Sequence, residues 1–143
     1  MAVDVAIELD EPEWADPEWS RHYVAGNILS GVVRIRSDQE VDCRGVHCVV
    51  GWHTEGRGDK DEGIVWSKTL HEGLLSGEQT FPFRLTLPLN GPISYSGHYI
   101  RIVWTVNAVV ALDWQKDPSA EVLFFLLPAP FVESERDESS LAS

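Results

Sequence analysis

Hydrophobic and polar residues alternate with a period of two along most of this chain. Val3, Val5, Ile7 and Leu9 alternate with Asp4, Ala6, Glu8 and Asp10. Phe81, Phe83, Leu85 and Leu87 share one face, with Pro82, Arg84 and Thr86 on the other. Ile100, Ile102, Trp104, Val106, Ala108, Val110 and Leu112 form the longest apolar face. Successive side chains of a strand point to opposite sides, so this pattern predicts strands with one face in a core. The predicted strands cover 3–9, 27–36, 41–53, 64–70, 80–87, 99–112 and 121–127, with a short one near 20–24. No segment carries an apolar stripe of helical period. Glycine and proline punctuate the joints, and short strands so punctuated predict an all-β antiparallel sandwich. Strands 41–53 and 64–70 are expected to form a hairpin across the polar loop 54–63, with Trp52 and Trp66 able to pair across it.

The chain has 143 residues, the size of one domain. Such a chain buries roughly two-thirds of its unfolded surface, enough for a core without staples. We expect a sandwich over residues 1–130 and a disordered acidic, serine-rich tail over 131–143. No apolar run reaches membrane-spanning length, and no basic N-region with an apolar stretch precedes the first strand. A cytoplasmic location is therefore expected, provided the chain begins at its natural N-terminus. The 23 acidic and 11 basic residues give a formal charge of -12. That sign repels nucleic acid and anionic membranes, so no nucleic-acid partner is expected, and a basic or apolar partner surface is favoured.

Candidate chemistry is sparse. Cys43 and Cys48 sit on one extended segment, roughly 17 Å apart if fully stretched. A disulfide needs Cα atoms within about 7 Å, so both are expected to be reduced. Cys48 shares a face with Val46, Val50 and Trp52, which reads as a small core residue. The run Asp59-Lys60-Asp61-Glu62-Gly63 clusters carboxylates as calcium sites do, but its glycine arrives one position early and position twelve is Leu70. A solvated hairpin tip is the better reading. His47 and His53 lie about 20 Å apart along one strand, too far to share a metal. No short paired zinc motif is present. Ser94-Tyr95-Ser96-Gly97 lacks the hydrolase elbow and its strand-turn-helix setting. A turn is expected there, with Pro92 fixing φ, Gly97 supplying positive φ and Tyr95 covering the sandwich end. We therefore expect no catalytic residues, no metal, no cofactor and no enzyme activity.

The six tryptophans sort by position. Trp104 lies on the inward face of the longest strand and is expected in the core. Trp14 and Trp19 lie in an acidic, proline-containing run, Glu11 to Trp19, unlike a strand. Either both rings fold back over an open end of the sandwich, or they form an exposed anchor for a partner. The first reading is favoured because an unburied tryptophan is costly in water. Under the second, Trp14 and Trp19 are the candidate partner-binding residues.

Five pieces of the chain, in order, resemble the N-terminal sandwich of the arrestin family. Gly77 to Pro88 reads Gly-x-x-x-Phe-x-Phe-x-Leu-x-Leu-Pro, followed by Pro92-x-Ser94-Tyr95-x-Gly97 and a long strand. Val3 to Leu9 is similar to the family's first strand. Gly26 to Val33 resembles its Gly-x-x-x-Ser-Gly-x-Val element. Arg44-Gly45-Val46 resembles the entry to the next strand, and Leu112 to Asp117 the connection into the last. The resemblance extends to arrestin-domain proteins, the retromer's arrestin-fold subunit and bacterial sporulation-control proteins. It implies a single-domain, immunoglobulin-like antiparallel β-sandwich of the arrestin N-domain type. It also implies a non-catalytic adaptor or scaffold that binds another protein through a sheet edge or a loop-rich end. Alternatives are a structural sandwich that self-associates into a homo-oligomer, and a small-ligand or metal-binding sandwich. Arrestins carry two sandwiches and this chain has room for one, so it is either a one-sandwich protein or a domain of a longer one. The family's binding residues are not identifiable in it.

Overall fold

A computed structural model describes residues 3–10, 21–58, 60–97, 99–113 and 115–129. Among them are seven strands and no helix: β1 Val3–Leu9, β2 His22–Val24, β3 Ile28–Gly56, β4 Glu62–Thr86, β5 Tyr95–Ser96, β6 Ile100–Ala111 and β7 Ser119–Leu127. The fold is an all-β sandwich. Residues 131–143, with Trp14 and Trp19, lie outside the described residues.

The 29-residue β3 organises everything. Its first part pairs antiparallel with β1, Val3 opposite Ser37 through Leu9 opposite Gly31, and with the end of β4, Ile28 opposite Thr86 through Ser37 opposite Gly77. Its second part pairs with the start of β4 and with β6, Gly45 opposite Ala111 through Gly56 opposite Ile100. β6 carries β7 on its other side, and β2 runs parallel to the end of β7. β1 lies across the core against β6 and β7, with which it forms no ladder. The two layers are thus the two halves of one bent ladder.

The bend explains why two predicted breaks are not breaks. The sequence reading separates strands 27–36 and 41–53, and likewise 64–70 and 80–87. In the structure β3 and β4 each continue through the gap. Register shifts between Ser37 and Val41, and between Cys43 and Val46, let the ladder turn without ending. A bulge inserts an extra residue and increases local twist. On the opposing strand Gly73 and Gly77 take φ of 103° and 64°, a region closed to most side chains. The shift at Arg44–Gly45 also reverses the inward parity. Leu29, Val33, Ile35, Val41 and Cys43 face the core before it, and Val46, Cys48 and Val50 after it.

The predicted apolar faces of β4 and β6 are inward. Phe83, Leu85 and Leu87 are buried, as are Trp104, Val106, Ala108 and Val110. Trp104 packs against Phe124 with ring centroids 5.8 Å apart, and its indole N–H donates to the Pro92 carbonyl at 3.1 Å. The Ser30-Gly31 pair also has a physical role. Ser30 Oγ donates to Asp10 Oδ2 at 2.8 Å, and a Cβ at Gly31 would collide with the Glu8 carbonyl oxygen. This pair lets β1 close on β3.

Two expectations are corrected. Trp52 faces Gly63 and Trp66 faces Val50, so the two rings do not pair. An extra residue at Val65 offsets the hairpin; Trp66 turns to Phe83 instead, at 6.1 Å. Gly97 is absent from the glycines with positive φ. Its need for glycine is steric, because the Tyr95 ring occupies the space a Cβ would fill.

Candidate partner-binding surfaces

Among the described residues, no three His, Cys, Asp or Glu side chains group to hold a metal. His47 Nδ1 bonds Thr69 Oγ1 at 3.0 Å, and His53 Nε2 bonds Glu55 Oε2 at 2.9 Å. The His53 contact, then Arg101, holds the Glu55 carboxyl below its ordinary range. Both cysteines are free and buried. Desolvation pushes the Cys48 thiol up to about 12 and raises that of Cys43, the opposite of a reactive thiolate. Asp59 of the acidic loop lies outside the described residues.

Trp14 and Trp19 fall in residues 11–20, outside the described set. Their two ends are joined: the Tyr23 hydroxyl donates to the Asp10 carbonyl at 2.7 Å. Tyr23 is buried, edge-on to Phe124 at 5.8 Å.

Among the described residues, two surfaces stand out as open. The first is the outer edge of β1. Asp10 N–H donates to the Ser30 carbonyl, so even-numbered residues of β1 bond β3. The backbone groups of Val5 and Ile7 therefore point to the open side. Val5, Ile7 and Leu9 face the core yet are only partly buried, while Asp4 and Glu8 stand on the opposite face. Glu8 is held by Arg34 at 2.8 Å. The other long edge is β4, which pairs with β3 alone. It is blunted by extra residues at Val65 and Leu70 and by Pro82, which has no N–H. Pairing in β1 is unbroken over seven residues.

The second surface is a groove of about 320 Å³ where β5 and the end of β7 diverge along β6. Its apolar walls include Tyr95, Ile102, Val103, Leu123 and Phe125. Ser94 builds it: its N–H donates to the Leu126 carbonyl at 2.9 Å, and its Oγ accepts from Leu126 N–H at 2.7 Å. The Pro-x-Ser-Tyr segment thereby ties the core tryptophan to β7. Tyr95 only partly meets its expected role, being 54% exposed at the groove mouth. Sequence reading missed Leu123 and Phe125 as surface residues, because Val122 to Leu127 is an apolar run without alternation.

Residues 59–129 match the N-terminal domain of arrestin (or S-antigen). The crystal structure of Spo0M, a sporulation control protein from Bacillus subtilis, superposes on 93% of this chain with a TM-score of 0.70 and 20% identity. This is an arrestin-like domain. Arrestin domain-containing protein 1 of Homo sapiens is 25% identical to it over 116 residues, 73% of this chain. The arrestin-like chain spans 27% of that relative and 52% of Spo0M. None of its described helices is long and apolar enough to cross a membrane, since the described residues contain none.

Proposed function

We propose that this arrestin-like domain is a non-catalytic adaptor that holds an extended segment of a partner protein along β1. The observation that carries this reading is the open, unbroken edge of β1 with outward backbone groups at Val5 and Ile7. An added strand satisfies those groups by main-chain hydrogen bonds, and its side chains give specificity. Apolar residues on one face of the added strand complete the burial of Val5 and Ile7. Lysine or arginine on the other meets Asp4 and Glu8. The same charges disfavour a second copy: two β1 strands paired antiparallel about Ala6 set Asp4 against Glu8 twice, and like charges directly opposite are destabilising. The reading requires no cofactor, and it matches the adaptor role the arrestin resemblance implies.

The test is a titration of the isotope-labelled chain with a blocked nonapeptide alternating valine and lysine, followed by amide chemical shifts. Shifts along β1 are expected, lost in Val5→Pro and retained in Val5→Ala. A valine–glutamate peptide binding as tightly, or shifts confined to other strands, would refute the reading.

A further inference from the structure

We propose that the groove between β5 and β7 is a second peptide site, selective for an acidic segment carrying one or two large apolar side chains. This goes beyond strand addition at β1: the surface is different and the preferred charge is opposite. The backbone at the groove is already engaged. Ser94 N–H bonds Leu126, Leu126 N–H bonds Ser94 Oγ, and Phe125 N–H bonds the Arg21 carbonyl. A ligand therefore binds here through side chains, not by extending a sheet.

Tyr95, Leu123 and Phe125 are 54%, 47% and 51% exposed around one mouth. Large apolar side chains gathered on a surface mark interaction sites. The groove's 320 Å³ stands at the small end of ligand pockets, about 300 Å³, which fits side-chain anchors better than a cofactor. Charge then selects among apolar segments. Acids outnumber bases 23 to 11 in the chain, yet the described residues lining the groove include no carboxylate. It contains Arg101 and His22, with the hydroxyls of Ser94, Ser96 and Tyr95. Arg101 gives an N–H to Glu55, and a guanidinium has five such donors. The His22 ring stacks on Phe125 at 4.6 Å and extends the aromatic wall beside Arg101.

The experiment is fluorescence polarisation of the full chain with a labelled Asp-Glu-Leu-Phe-Asp-Glu peptide. Saturable binding is expected, weakened at least tenfold by Phe125→Ser or Leu123→Ser with the melting temperature of the protein preserved. Exchanging Leu-Phe for Ser-Ser in the peptide should cost as much. A Lys-Lys-Leu-Phe-Lys-Lys peptide should bind at least tenfold more weakly, and Arg101→Gln should narrow that difference. A saturating valine–lysine peptide should not displace the probe, which separates this site from β1. Equal affinity for both charge types, or indifference to Phe125→Ser and Leu123→Ser, would overturn the proposal. So would a tenfold gain in Phe131→Ser, which would give the groove to the chain's own Phe131-Val132-Glu133 run. A concentration-dependent dimer abolished by Phe125→Ser would give it to a second copy.

Discussion

Trp104 is the residue on which the sandwich most depends. It is fully buried, touches Phe124 and donates to the Pro92 carbonyl. Trp104→Ala should cost about 3–5 kcal/mol in chemical denaturation, the usual range for truncating a buried aromatic. Trp104→Phe should cost less, because it keeps an aromatic ring against Phe124. Cys48 offers a test of burial by titration. Its folded thiol ionises near 12 against an ordinary 9.0, through desolvation. The unfolded state thus releases its proton first as pH rises. Stability from this group is complete below pH 9 and is lost between 9 and 12. Denaturation midpoints should show a decline in that window that Cys48→Val lacks. Both residues were legible in the sequence, because strict alternation fixes which side chains turn inward. Leu123 and Phe125 were not, since an uninterrupted apolar run does not reveal which of its faces is covered. Gly97 was legible as a required glycine but for the wrong cause: which ring lies over it is a matter of tertiary packing.

At the level of elements, the strands and the hairpin of β3 with β4 follow from the local pattern. Their continuity does not. Bulges at Arg44–Gly45 and the glycines of β4 join what periodicity divides, and a bulge leaves no signature in hydropathy beyond a slip of phase. The short β5 also escapes, because two residues carry no period. β1 closes on β3 only because residue 31 lacks a side chain. Gly31→Ala should therefore destabilise by about 1–3 kcal/mol, the range of overpacking. Amide exchange should quicken first in β1. Retention of full protection there would show that the ladder absorbs the methyl group without moving.

At the scale of the molecule, the described residues leave two open surfaces: a strand edge bearing Asp4 and Glu8, and an apolar groove with no carboxylate among its described lining residues. A net charge of -12 gives no hint of this division, since it sums over a surface that the fold partitions. The two proposed surfaces were the least legible part. Trp14 and Trp19 drew notice by composition alone, whereas the edge and the groove arise from which strands end without neighbours.

The length of β3 has a mechanical meaning. One polypeptide segment runs as an interior strand through both layers, so the two share a continuous backbone. Proteins open in contiguous cooperative units, and here strain in either layer is carried along the same covalent spine. Native-state exchange should then report β3 and β6 as one cooperative unit. A ligand clamped on β1 should slow exchange in β6, on the far layer, without touching it.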